Sequence, residues 1–286
     1  MKICFYNLQG GTGKTTIALN LAEYLSEKIR TVYVDCDLYG TTAPFLLDYD
    51  NLEKQTLNSY IMDEINLGDL IIQRNTLSLI LSDGTPEAFA ADPNPKKIGE
   101  LLDILEQEYD LVICDLPPNA SGDSILFNEP DKINNVILVS NDSVGSIANT
   151  LKSMELLHEL KINIIGTVVN NDQGNVPFED ILPNVLAILP YDDKVEKQYA
   201  EGVLTVNMKS SSFGKAIKRL AEDLAEAYLE ESIATERALS VAKGIRGSII
   251  GSTNKDKEDI KEKLNNTLDD FDLDDFDVDE FDPKKM

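Results

Sequence analysis

The chain has 286 residues, 42% hydrophobic and 27% charged, enough for one large globular α/β domain with an appendage. Its formal net charge is −25, of which residues 252–286, with 13 acidic and 6 basic side chains, supply only −7. Acidity therefore runs through the whole chain and disfavours DNA binding, which needs clustered Lys and Arg to displace counterions. No apolar run approaches the roughly 20 residues of a membrane-crossing helix, and Met1-Lys2 leads straight into an apolar run, so the sequence predicts a cytoplasmic chain with no signal peptide.

The first predicted strand contains Ile3, Cys4, Phe5 and Tyr6. It is followed by LQGGTGKTT at residues 8–16 and then by a helical run from Ile17 to Ala22. A strand, a glycine-rich turn and a helix start in that order form a phosphate cradle. Gly10, Gly11 and Gly13, flanking Thr12, let backbone N–H groups turn inward, because no Cβ blocks the approach. Lys14 supplies a point charge for β- and γ-phosphates, the Thr15 hydroxyl suits Mg²⁺, and Thr16 suits an α-phosphate. The ligand these residues imply is a nucleoside triphosphate with Mg²⁺.

A β-rich run at residues 31–34 ends in Asp35-Cys36-Asp37. Leu70 to Ile72 and Leu77 to Leu81 read either as a small hairpin or as two strands of the main sheet. The near-continuous apolar run at residues 111–114 reads as a buried parallel strand delivering Asp115 where it emerges, with Pro117 and Pro118 stiffening the next turn. An apolar run containing Gly166 ends in Asn170-Asn171, and residues 185–189 lead into Pro190-Tyr191-Asp192. Together the expected strands lie near 2–8, 31–35, 69–73, 76–81, 110–115, 134–140, 162–170 and 185–189. The helices lie near 14–28, 95–107, 121–127, 143–159 and 210–231. This alternation predicts a doubly wound, mostly parallel sheet flanked by helices. Cys4, Cys36 and Cys114 form no Cys-x-x-Cys pair and read as buried or strand-end residues in a reducing compartment. His158 fits as a helix-end cation rather than a metal ligand.

The GGTGKT spelling resembles the deviant Walker A loop of the MinD/ParA family of P-loop ATPases, and the resemblance covers residues 1–231. Where the family carries a signature lysine before the paired glycines, this chain has Gln9. In the family that lysine reaches a partner's phosphates across a nucleotide-sandwich dimer. Gln9 donates hydrogen bonds but no charge. The resemblance makes Asp35, Asp37 and residues up to Gly40 switch I, with Asp35 near Mg²⁺ through its water shell and Asp37 orienting the attacking water. It makes Asp115 a Walker B carboxylate helping to hold Mg²⁺, and residues 119–123 switch II. Asn170 would bond the adenine edge, and Pro190 would belong to the loop over the base. The implied activity is hydrolysis of Mg-ATP by a nucleotide-dependent homodimer that positions or assembles a cellular structure. The alternative is a nucleotide-binding scaffold with little hydrolysis. Metal insertion is disfavoured by the missing cysteine pair, and tyrosine autophosphorylation by a tail with phenylalanines instead of tyrosines.

Lys209, Lys215, Lys218 and Arg219 read first as a solvated helix face, with a basic stripe as the alternative. Residues 232–251 suggest a further helix, with Ile233, Val241, Ile245 and Ile249 spaced in fours and eights. It would pack on its own core or a partner subunit, or rest on a membrane surface through residues 233–250, although Gly244 and Gly247 weaken it as a free helix. In residues 252–286 a five-residue unit of one aliphatic residue, one Phe and three acids repeats three times between Leu268 and Asp282. Such a unit cannot close a core, so a disordered segment is expected. Its evenly spaced phenylalanines suit docking to a protein with a basic, apolar groove.

Overall fold

A computed structural model describes residues 1–49, 52–84, 95–118 and 125–228. The chain divides into two units, Met1–Leu229 and Glu230–Met286. The readings made for switch II, the 232–251 helix and the 252–286 tail lie outside the described residues.

The first unit is built on an eight-stranded sheet in the order β3-β4-β2-β5-β1-β6-β7-β8. Its strands are β1 Lys2–Tyr6, β2 Thr31–Asp35, β3 Ile72–Arg74, β4 Leu77–Ile80, β5 Leu111–Asp115, β6 Val136–Asn141, β7 Ile164–Asp172 and β8 Val185–Pro190. Every neighbouring pair is parallel except β3 with β4. The central strands β1, β2 and β5 are buried along their whole length. Their apolar runs are continuous because both faces of a parallel sheet are covered by helices.

Nine α-helices are described: α1 Lys14–Ser26, α2 Ala43–Leu46, α3 Leu57–Ile61, α4 Leu67–Leu70, α5 Pro95–Glu108, α6 Ile125–Asn128, α7 Val144–Glu159, α8 Lys194–Glu201 and α9 Ser212–Tyr228. One face of the sheet presents Cys4, Tyr6, Val32, Val34, Val112 and Cys114 to Ile98, Leu101, Leu102 and Leu105 of α5. The period-2 alternation of the strands meets the 3.6-residue period of the helix there. Against the sheet, α1 packs on β2, β5 and β1, and it also packs against α9. The three cysteines, far apart in sequence, are all buried. Cys4 and Cys114 are register partners on β1 and β5. A hydrogen bond to Cys114, together with burial, pushes the Cys4 thiol well above its usual range.

Three local expectations change. Residues 69–71 do not extend a strand, because α4 runs through Leu70 and β3 begins at Ile72. The two readings of the β3–β4 region merge. The strands form an antiparallel hairpin around the left-handed Asn75, and β4 also pairs in parallel with β2. Helix α8 was not expected, since KVEKQYAE offers too few apolar positions to announce a helical face.

Asp192 holds this region together. One carboxylate oxygen accepts the Lys194 N–H at 3.0 Å. The other accepts the Ser211 hydroxyl at 2.8 Å, the Ser212 hydroxyl at 3.1 Å and the Phe213 N–H at 3.2 Å. One buried side chain thus satisfies donors at the starts of both α8 and α9. Burial alone would raise its pKa, but these bonds hold the carboxyl below the usual range. A carboxyl depressed in the folded state stabilises above the unfolded pKa of about 3.9 and loses that contribution as pH falls further. Asp192→Ala is therefore expected to remove about 2–4 kcal/mol at pH 7. The gap between wild type and variant should narrow below about pH 4. Urea melts at pH 7 and pH 3.5 measure both, and an unchanged pH 7 midpoint would count against this capping role.

Candidate functional site

The site forms where β1, β5 and β2 end together. Phe5 and Asp35 both pair with Asp115 in register, so two aspartates lie side by side at the carboxyl edge of the sheet. This is where open α/β sheets bind ligands. The loop leaving β1 arrives at the same edge.

That loop is shaped by two glycines and held by three asparagines. Gly11 and Gly13 have φ of 72° and 94°, conformations a side chain would strain. A Cβ on Gly13 would lie 2.3 Å from Asn170 Nδ2. Asn170 donates to the Thr12 carbonyl at 2.9 Å, and Asn141 donates to the Gly11 carbonyl at 3.1 Å. At the start of the loop, Asn7 accepts the Gln9 N–H at 2.8 Å. Gly13 is the N-cap of α1 and contributes no side-chain bond, so the first turn directs main-chain donors toward the loop.

Lys14 is buried, with Nζ 3.4 Å from the Gln9 carbonyl. Burial lowers its pKa, and the charges of Asp115 and Asp37 oppose that shift. The Thr15 hydroxyl donates to Asp115 Oδ2 at 2.5 Å, and the Tyr33 hydroxyl donates to the same oxygen at 3.1 Å. Asp35 accepts the Asp37 N–H at 3.1 Å and the Thr41 hydroxyl. Asp37 accepts the Gly40 N–H at 2.8 Å, which closes the turn after β2. Thr16 is buried in the first turn of α1. Gln9 is tethered within its own chain, accepting from Asn149 Nδ2 at 3.5 Å.

Among the described residues, three buried polar atoms around the loop have no hydrogen-bond partner: Thr12 Oγ1, Asp115 Oδ1 and Asn170 Oδ1. Buried polar groups left unmatched are uncommon in native proteins and call for a ligand or water. A carboxylate oxygen beside the Thr15 hydroxyl fits a Mg²⁺ shell. At Gly11 a Cβ would meet nothing within 4 Å, and this open space beside the main chain fits a phosphate.

The expected residues Lys14, Thr15, Asp35, Asp37 and Asp115 are gathered at this edge, and Asn170 faces the loop. Pro190 closes β8 at the sheet margin, paired with Asp172. Sequence reasoning missed Asn7, Asn141 and Tyr33, whose only signal was a polar or hydroxyl group within an apolar strand or at its carboxyl end. It also missed Asp142. This side chain accepts the N–H groups of Gln173, Asn175 and Val176 at 3.0, 2.8 and 2.9 Å and organises the loop after β7.

Burial pushes Asp115 up to about 6, with Asp37 adding to the rise and Thr15, Lys14 and Tyr33 opposing it. Burial and the neighbouring Asp115 charge also push Asp35 well above the carboxylate range. An unfolded aspartate titrates near 3.9. Between that value and the raised one the unfolded chain binds fewer protons, so the folded chain is penalised at pH 7 and relieved as pH falls through about 6. Asp115→Asn should therefore stabilise the ligand-free chain by about 1–3 kcal/mol at pH 7. It should also weaken any stabilisation gained on adding Mg-ATP. Thermal melts with and without Mg-ATP test both effects, and a lower melting temperature for the ligand-free variant would contradict the strain.

Residues 1–225 match the family model described as ParA, NUBPL iron-transfer P-loop NTPase. An uncharacterized ATP-binding protein of Methanocaldococcus jannaschii is 38% identical over 267 residues, covering 92% of this chain and 100% of that protein. The iron-sulfur cluster transfer protein NUBPL of Dictyostelium discoideum is 26% identical over 178 residues, 61% of this chain and 54% of its own length. Among solved structures, the septum site-determining protein MinD of Pyrococcus horikoshii, complexed with Mg-ADP, superposes with a TM-score of 0.70 at 25% identity, covering 78% of this chain and 95% of its own. With the fold, the loop and its paired aspartates already in place, the chain belongs to the MinD/ParA family of P-loop NTPases.

Proposed function

We propose that this chain is a slow ATPase that binds Mg-ATP and dimerises on it. In that state it would recruit a partner for positioning or assembling a cellular structure, such as a division site, a pilus or secretion machine, or a plasmid. The observation that carries the proposal is the grouping of buried Lys14, the Thr15–Asp115 pair and the partnerless Asp115 Oδ1 around one glycine loop.

Main-chain groups of Gly10, Gly11, Thr12 and Gly13 would cradle the phosphates, with Thr16 at the α-phosphate. Lys14 would leave the Gln9 carbonyl for the β- and γ-phosphates, trading a neutral acceptor for a charged one. Thr15 and Asp115 would hold Mg²⁺ with Asp35 behind them; bound there, the ion would neutralise charge developing on the transferred phosphoryl group. Asp37, near the strand end and accepting the Gly40 N–H within its own turn, would orient the attacking water. Asn170 Oδ1 is a buried acceptor without a partner, which suits an adenine amino group. Pro190 would lie at the margin of the base site. The MinD relative's Mg-ADP supports this choice of ligand.

Gln9 favours a second reading, a nucleotide-binding scaffold with little turnover, because it is uncharged and tethered to Asn149. Cluster transfer, named for some relatives, gains little support from a chain whose three cysteines are all buried. The 268–282 repeat would dock a protein partner, and the 233–250 segment would meet a partner subunit or a membrane surface. No described helix is long and apolar enough to cross a membrane.

Lys14→Ala is expected to weaken Mg-ATP binding by at least 100-fold. Asp37→Ala is expected to keep binding and dimerisation while lowering turnover by a similar factor. Calorimetry, phosphate release and light scattering, with and without liposomes or DNA, measure these. Equal turnover in wild type and Asp37→Ala would remove Asp37's role. Tight binding with negligible wild-type turnover would favour the scaffold.

A further inference from the structure

Helix α7 lies outside the nucleotide loop in sequence, yet it carries three fully buried hydroxyls, Ser146, Thr150 and Ser153. Their spacing puts them on one face, turned toward β6 and the residues that follow β1. Two of them spend their protons inside the helix: Thr150 Oγ1 donates to the Ser146 carbonyl at 2.9 Å, and Ser153 Oγ donates to the Asn149 carbonyl at 2.8 Å. Bonding back to a carbonyl one turn earlier is the usual resort of a hydroxyl in a helix interior. It leaves each oxygen able only to accept.

What they accept comes from the two residues that open the loop. Asn7 Nδ2 donates to Thr150 Oγ1 at 2.8 Å and to the Val139 carbonyl at 2.8 Å. The Leu8 N–H donates to Ser153 Oγ at 3.0 Å. With acceptors on both sides, the Asn7 amide has one satisfied orientation, nitrogen toward α7 and β6 and oxygen toward the Gln9 N–H. The N–H groups of Leu8 and Gln9 are thereby consumed within the protein, and the cradle for an anion starts at Gly10. The same arrangement holds the N–H of Gln9, the residue whose carbonyl receives Lys14 Nζ. Ser146 extends the ladder by accepting the Asn141 N–H at 2.8 Å, and the Asn141 side chain in turn bonds the Gly11 carbonyl.

We infer that Thr150 and Ser153 are positioning residues of the nucleotide site: they set, through Asn7 and Leu8, where the phosphate cradle begins and where Lys14 waits. This rests on the reading of the loop as a Mg-ATP site. Without the Thr150 hydroxyl a fully buried amide hydrogen loses its acceptor, and turning the amide would set oxygen against the Val139 carbonyl, so Asn7 must shift and carry the loop with it.

The test uses the full chain and Mg-ATP calorimetry alongside thermal melts. Thr150→Val, nearly the same shape without the hydroxyl, should weaken Mg-ATP binding about tenfold. Thr150→Ser, which keeps the hydroxyl, should bind like wild type. Ser153→Ala should repeat the loss and serves in place of Thr150→Val if that variant does not fold. Ser26→Ala is the control, since that hydroxyl bonds Glu23 and Thr76 away from the loop and should lower only the melting temperature. Wild-type binding with Thr150→Val and Ser153→Ala both within twofold of it overturns this inference alone. A Thr150→Ser variant as weak as Thr150→Val also overturns it, because lost methyl packing would then be the cause. Failure of wild type to bind Mg-ATP overturns the nucleotide reading and this inference with it.

Discussion

The register of three parallel strands is the constraint on which everything else hangs. Inserting β5 between β1 and β2 brings Asp115 level with Asp35 on one side and with the last residues of β1 on the other. A loop leaving β1 then lands next to two carboxylates that are 80 residues apart in sequence. A slip of one residue in any of these pairings would turn an aspartate to the other face of the sheet and replace it with an apolar side chain. The apolar runs that bury these strands on both faces hold the register, so packing of the core and placement of the carboxylates are one requirement.

Such a site is unfavourable to the empty fold. Two adjacent buried carboxylates repel each other and have lost water, and a buried ammonium has lost water as well. Hydroxyls from Thr15, Tyr33 and Thr41 offset part of this. The remainder appears as raised carboxyl pKa values and as polar atoms without partners. A ligand carrying both anionic oxygen and a divalent cation, as proposed, would relieve that strain and give ligand selection a physical basis beyond shape. The rest of the site is polar scaffolding drawn from neighbouring strand ends. Asn7, Asn141 and Asn170 each commit a side-chain amide to the loop, so the loop's path is dictated by β1, β6 and β7 together.

Legibility followed the range of the interactions. The glycine loop, Lys14 and Thr15 could be read because strand, turn and helix start are contiguous and their residue types are narrowly constrained. The long strands could be read because full burial demands unbroken apolar runs. Short helices such as α2, α3 and α8 were not visible, since each is one or two turns long and stabilised by tertiary contacts rather than by periodicity. Nothing in the sequence marked the loop-organising role of Asp142 or the capping role of Asp192, because most of their partners lie far along the chain, up to 34 and 21 positions away.

The amino-acid sequence by itself determined the α/β class, the order of strands and helices, and the chemistry of the loop. Those depend on local geometry and on periodic burial, which neighbouring residues specify. Only the tertiary structure decided that Cys4 and Cys114 meet across β1 and β5. It also decided that Asp35 and Asp115 share one edge, that Gln9 is tied to Asn149, and that the hydroxyls of α7 hold the start of the loop. Each of these is a meeting of residues distant along the chain, and which distant residues meet is set by strand order and register, quantities no single segment carries.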